Sequence, residues 1–148
     1  ILMAVLNSIN QMFDEMKSWR QDLHKIPEIG LEEYETSKYI KNKLKEFNID
    51  FKDGYSNTGI VAWVKGKNGK SERSIALRAD FDALPMPEKN TFEHRSTNDG
   101  MMHACGHDGH TSILLGAAKY LSENNNFDGS VYFVFQPWGR RDLLVVKR

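Results

Sequence analysis

One cysteine stands in 148 residues, so no internal disulfide framework holds this chain together. No charge of one sign prevails: 20 lysines and arginines balance 20 aspartates and glutamates. That balance removes the electrostatic case for nucleic acid or an anionic membrane surface as partner. Long apolar runs are missing too. The longest, 1–6 and 113–118, fall far short of the roughly 20 residues a spanning helix needs. No basic stretch opens the chain in the manner of a secretory signal. Together these absences predict a cytoplasmic protein. The first residue is Ile1 rather than Met, which predicts a natural start elsewhere. What remains, 40% hydrophobic and 27% charged residues, is enough for one domain with one core.

Ile9, Met12, Phe13, Met16, Trp19 and Leu23 recur at spacings of three and four, which predicts one amphipathic helix. Ser8 with Gln11 resembles a capping box at its start. Pro27 and Gly30 mark its end. A second helix is predicted over 32–47, with Thr36, Ile40, Leu44 and Phe47 on one face. Residues 48–51, 59–65 and 74–80 are short and rich in β-branched or aromatic side chains, so they read as strands. The stretch 66–70 (GKNGK) reads as a turn. Residues 83–102 are polar, contain Pro85 and Pro87 and show no period. A loop of that length is functional or disordered. A helix is predicted over 111–121, ended by the polar tract 122–126, and a buried strand over 131–135. The sum is an α/β domain with a central sheet. The tail 138–148 differs: it is basic and carries an unpatterned apolar patch at 143–146.

His103, Cys105, His107 and His110 lie within eight residues. Thiolate and imidazole are good ligands for first-row transition ions. A spacing of two puts Cys105 and His107 on one side of an extended loop, and Gly106 and Gly109 would let that loop fold tightly. Asp108 has three open roles: helix cap, metal ligand, or a partner that orients a histidine. The bland reading is a His-rich surface turn with a free cysteine. Asp80 and Asp82 follow a strand, where α/β folds place ligands, or else they simply open a solvated loop. Arg20 and His24 sit four apart on one helix face, within reach of Glu28, Glu32 or Glu35. A structural ion-pair role is the better reading for them.

Four segments together resemble one family: RQDLHKIPEIGLEEYET (20–36), LRADFDALP (77–85), MHACGHDGHTSILLGAAKYL (102–121) and GSVYFVFQP (129–137). They are similar to the aminoacylase and carboxypeptidase group of metallo-amidohydrolases, on the branch of hippurate hydrolase, N-acyl-amino-acid amidohydrolase and auxin-conjugate hydrolase. The resemblance implies the N-terminal part of a two-metal, peptidase-like α/β catalytic domain, with a central sheet flanked by helices, incomplete here. It implies two divalent ions (Mn, Zn, Ni or Co) and a small N-acyl amino acid or conjugate as substrate. It matches Cys105 and His107 to the family's first two metal ligands and Asp80 to a strand-end aspartate that supports the site. Asp108 and His110 match residues packed around the metals. The implied chemistry is amide hydrolysis by a metal-activated water, with a glutamate moving the proton.

The pattern breaks after Gln136-Pro137. The family continues there with a small residue and two glutamates, the general base and a ligand. This chain continues Trp138-Gly139-Arg140-Arg141-Asp142. The later histidine ligands and the family's inserted dimerisation domain are absent as well. The expectation is a partial catalytic domain over 1–137 and an aberrant tail over 138–148, read as a frameshift product. With AGR arginine codons, reading from the third base of the Trp138 codon can give Gly-Glu-Glu-Gly. The chain is then a truncated, inactive amidohydrolase. The alternatives are a non-enzymatic metal-binding fragment, or a thiol enzyme using Cys105 with a nearby histidine.

Overall fold

The computed structural model describes residues 7–68 and 71–138. The expected turn at 66–70 lies partly outside these residues, and all of the tail beyond Trp138 does.

Helices α1 (Asn7–Gln11) and α2 (Phe13–Lys25) replace the single helix predicted at the start. Ser8 lies inside α1 rather than capping it. The break falls at Met12, which caps α2 with its backbone and buries its side chain. Because Met12 is apolar and in phase with its neighbours, periodicity alone hides the break. Helix α2 carries Asp14 and Glu15 in its first turn and His24 and Lys25 in its last. That arrangement suits the helix dipole.

Helix α3 (Tyr34–Glu46) buries Thr36, Ser37, Ile40 and Leu44. It ends because Asn48 adopts φ 55. The amides of Asn48 and Ile49 then return to the carbonyls of Lys45 and Leu44 at 3.0 and 2.9 Å. This is a Schellman closure, and its apolar contact is supplied by Ile49 and Leu44, both in the core.

Four strands follow: β1 (Asp50–Tyr55), β2 (Gly59–Lys65), β3 (Ser74–Asp80) and, after helix α4 (His107–Glu123), β4 (Ser130–Gln136). The sheet order is β1-β2-β4-β3. β1 and β4 both pair antiparallel with β2, and β3 pairs parallel with β4. A parallel pair needs a long crossover, and the segment 81–129 with α4 provides it.

Registers such as Ala62↔Phe133 and Leu77↔Phe133 place alternate residues of three strands on one face. Ile60, Ala62, Val64, Ala79, Val131, Phe133 and Phe135 there join Ile40, Leu44, Leu114, Leu115 and Ala118 in one core. The opposite face carries Val61, Trp63, Tyr132 and Val134, none of them fully buried. Helices therefore cover one face among the described residues, not both. Strand β3 is an edge, and its Ile75 is 60% exposed.

The polar stretch 83–102 is held without regular structure. Leu84 and Met102 form an isolated bridge. The Thr97 amide and hydroxyl donate to the Lys25 carbonyl, the Asn98 side chain to that of Pro27, and the Ala83 amide to that of Glu28. Those acceptors lie at the end of α2, so the loop seals that end against the start of α4.

Candidate metal centre

Strands β3 and β4 run parallel and end side by side at Asp80 and Gln136. Ligand sites of α/β sheets form at such strand ends. Two residues past β3, Asp82 is buried. Gly106, at φ 80, turns the chain into α4 so that His107 is its first residue. His107 Nδ1 lies 2.9 Å from both the backbone carbonyl and Oδ1 of Asp82. Both of those atoms only accept hydrogen bonds, so Nδ1 carries a proton, and in the neutral ring Nε2 is the nitrogen that holds the lone pair. An orienting carboxylate of this kind is the usual support of a metal-bound histidine.

His107 Nε2 faces Asp80 Oδ1 at 3.7 Å. The same oxygen accepts from His110 Nδ1 at 2.7 Å, while Oδ2 pairs with Arg78 Nη1 at 2.9 Å. Burial pushes the Asp80 carboxyl up. The hydrogen bond from His110 and the charges of His107 and Arg78 outweigh it and hold the group below its ordinary value. His107 and His110 stand one helical turn apart, their rings stacked at 5.4 Å. A cavity of about 440 Å³ opens here, lined by Asp80, Asp82, Cys105 and His107 together with Arg78, Leu84 and Trp138. Cys105 is exposed at its wall.

The expected site residues thus converge, with adjustments. Asp80, Cys105 and His107 share the cavity. It is Asp82, rather than Asp80, that fixes the His107 ring. Asp108 points the other way, into the protein, with a fully buried side chain. It accepts from the Gly109 amide at 2.9 Å, His24 Nδ1 at 2.7 Å and Arg20 Nε at 3.0 Å. His24 Nε2 in turn meets Glu88 Oε1 at 3.1 Å. Each His24 nitrogen faces a carboxylate oxygen, and only the doubly protonated ring supplies both.

The expected partners of Arg20 and His24 are therefore wrong. Glu28 serves α3 instead, accepting from the amides of Glu35 and Thr36 and the Thr36 hydroxyl at 3.1, 2.8 and 2.8 Å. The side chain at the cap position of α3, Glu33, makes no capping hydrogen bond, so those orphan amides are met by the Glu28 carboxylate instead. Glu35 pairs with Lys38 on the surface. Gly109 does not shape a loop either, because it lies within α4.

Two further buried carboxylates, Glu88 and Glu33, carry no signal in the sequence, and His103 takes a place other than the expected one. Glu88, in the unpatterned loop, has a side chain 3% exposed. Burial pushes its carboxyl up, but donors from the Ser96 amide, the Asn90 side chain and His24 overcome this and hold it at about 2. The sequence groups His103 with the ligands, yet it is buried beside His24, ring centres 6.2 Å apart, and neither nitrogen has a hydrogen-bond partner among the described residues. Burial pushes it down to about 4, against the pull of Asp108. Glu33 is wholly buried, where it accepts from the Thr58 hydroxyl at 2.8 Å and the Trp138 amide at 3.2 Å. Its burial would have needed knowledge of where β4 exits.

The donor set fits a first-row divalent ion: an oriented imidazole with a free lone pair, a carboxylate opposite it, and a thiol on the same wall. Residues 76–138 match the family model described as peptidase family M20/M25/M40. A hippurate hydrolase of Campylobacter jejuni is 42% identical over 135 residues, covering 89% of this chain and 34% of that protein. An N-acyl-L-amino acid amidohydrolase of Geobacillus stearothermophilus is 41% identical over 133 residues, covering 86% and 35%. The crystal structure of Bacillus subtilis YXEP, described as a dinuclear metal binding peptidase from the M20 family, superposes with a TM-score of 0.81. Its identity is 39%, over 86% of this chain and 36% of that one. The chain spans about a third of the length of the relatives it matches. That third contains both the strand-end carboxylates and the MHACGHDGH segment, and by these matches the chain belongs to peptidase family M20.

Proposed function

We propose that this chain carries part of the metal-binding half of an amidohydrolase centre for N-acyl amino acids or similar conjugates. The observation that carries the reading is His107. Asp82 fixes its tautomer, so that Nε2 offers a lone pair into the cavity that Cys105 also lines. Cys105 and His107 are the residues that would hold a divalent ion there, with Mn, Zn, Ni and Co as the candidates. Bound metal supplies a Lewis acid and a water of lowered pKa. Asp80 adds negative charge beside the imidazole, and Arg78 limits that charge by pairing with its second oxygen. Asp108 acts from behind: by gripping His24 and Arg20 it locks α2 to the first turn of α4, and so fixes where His107 starts.

The domain reading extends the proposal. Residues 1–137 form a partial catalytic domain, and 138–148 form a tail foreign to it. Trp138, Gly139 and Arg140 stand where a small residue and acidic residues would supply the base. This chain alone therefore binds metal without turning substrate over. No helix among the described residues is long and apolar enough to cross a membrane.

Two measurements test this. Metal analysis after chelation and reloading should find Zn, Mn, Ni or Co bound above background, and none bound would defeat the metal reading. Hippurate and acetylated amino acids should remain unhydrolysed. Turnover that disappears in Cys105→Ala would show that the chain holds a working centre after all.

A further inference from the structure

We propose that His24 and Glu88 form a pH-sensitive latch, which holds residues 88–98 as a strap against the end of α2. The latch is closed while the His24 ring carries both protons and opens when the ring loses one.

The strap is a unit of its own. The Glu88 carboxylate accepts from the Asn90 side chain at 2.9 Å and from the Ser96 amide, so it gathers both halves of the segment. The Arg95 amide returns to the Phe92 carbonyl at 3.1 Å, and the rings of Phe92 and His94 stack at 4.1 Å. This unit meets the rest of the protein along the last turn of α2. Phe92 and His94 pack against the His24 ring, with centres 5.7 and 5.9 Å from it. Thr97 and Asn98 donate to the carbonyls of Lys25 and Pro27. The charged tie is His24 Nε2 to Glu88 Oε1 at 3.1 Å, with both side chains only 3% exposed.

The latch works because His24 meets a carboxylate at each nitrogen, and a neutral ring has only one N–H to give. That proton stays at Nδ1, where Asp108 Oδ2 lies closer, at 2.7 Å. Nε2 then turns a lone pair toward a buried carboxylate that has lost its cation. Two buried acceptors facing each other are costly, and water relieves them only if the strap lifts. His103 pulls the same way. It is buried beside His24, and neither of its nitrogens has a hydrogen-bond partner among the described residues. Opening gives that ring water, so closure depends on the charged tie.

The groups around His24 set the balance. Asp108 on α4 and Glu88 in the strap favour the doubly protonated ring. Arg20 on α2 opposes it, as do His94 and His103 whenever they are charged. The sign follows from linkage. Closure is favoured at low pH and weakens as pH rises, by at most about tenfold per pH unit for one proton. The loss ends once the ring of the closed protein is neutral. The base of the loop stays shut, because the Leu84–Met102 bridge and the Ala83 amide on the Glu28 carbonyl involve no titrating group.

The test is amide hydrogen exchange on the whole chain, followed by NMR across the range where histidines titrate, with intrinsic exchange rates divided out. The amides of Arg95, Ser96 and Thr97 should lose protection as pH rises, by up to about tenfold per pH unit, while those of Leu84, Met102 and β4 keep theirs. The loss should level off where the His24 ring nitrogens are seen to titrate. In Glu88→Gln the side-chain amide can donate to a neutral Nε2, and its oxygen can still accept from Ser96. The strap of that variant should therefore stay protected throughout. Strap protection that does not change with pH would overturn the latch. So would a loss that runs on past the titration of His24, or a Glu88→Gln strap that opens as the parent does. The first two outcomes are read on the parent alone, so they decide the matter even if the variant fails to fold.

Discussion

Asp82 grips His107 Nδ1 twice, through its backbone carbonyl and its carboxylate, each at 2.9 Å. The side chain is one of two supports for the proton that leaves Nε2 free. Asp82→Ala should therefore weaken metal binding about tenfold, the lower end of what such partners contribute, because the carbonyl remains. Titration calorimetry with zinc measures this. Binding at parental affinity would remove the Asp82 carboxylate from the site.

His24 is the buried centre of a four-residue network, and Arg20 is its exposed rim. His24→Ala leaves the buried carboxylates of Asp108 and Glu88 without a shared cation. The cost should be about 3–5 kcal/mol. Arg20 is 45% exposed, so Arg20→Ala should cost no more than about 1 kcal/mol. Urea unfolding of the two variants checks the contrast. Equal losses would mean that the network works as an exposed ion pair.

Glu33 and Glu88 should bend the stability curve in opposite directions. Burial raises the Glu33 carboxyl from 4.5, against the hydrogen bonds from Thr58 and Trp138. A raised acid contributes stability that is full below 4.5 and is lost as pH rises through its folded value. Glu88 is held at about 2, so its contribution is present above 4.5 and fades as pH falls toward 2. Urea midpoints followed across pH should flatten on the rising side in Glu33→Gln and on the acid side in Glu88→Gln. The reverse assignment would refute both environments.

Two glycines, one just before β4 and one inside α4, should respond with opposite signs. Gly129 has φ 85, and a Cβ there would meet the Arg73 carbonyl oxygen at 2.3 Å. Gly129→Ala should cost about 1–3 kcal/mol. Gly109 sits in α4 with nothing within 4 Å of its would-be Cβ. Gly109→Ala should stabilise the chain by up to about 1 kcal/mol. Thermal melts of the two variants decide the matter; a destabilised Gly109→Ala would show that the first turn of α4 has no room for a methyl group there.

Most of the architecture could be read from periodicity. Leu44 and Ile40 mark the buried stripe of α3, and the alternation of Val131, Phe133 and Phe135 marks the inward face of β4. The MHACGHDGH segment located the site, and the LRADFDALP strand end supplied its other wall. What stayed hidden depended on contacts distant in sequence. Asp82 meets His107 across 25 residues, Glu88 meets His24 across 64, and Asp108 meets His24 across 84. No local pattern carries such pairings. Asp108 illustrates the difficulty best: His107 before it lines the cavity and His110 after it reaches Asp80, while its own side chain turns into the protein.

The docking of α2 on α4 also governs when the site can exist. Its ties are His24 to Asp108, Ser112 to the Met16 carbonyl and Lys119 to Glu15, spanning 84, 96 and 104 residues. The β1–β2 hairpin closes locally, whereas these contacts require large loops to close first. Assembly is therefore ordered in time. On the ribosome, the hairpin forms early, and the histidines of α4 acquire their fixed positions only after that helix has emerged and found a partner made a hundred or so residues before.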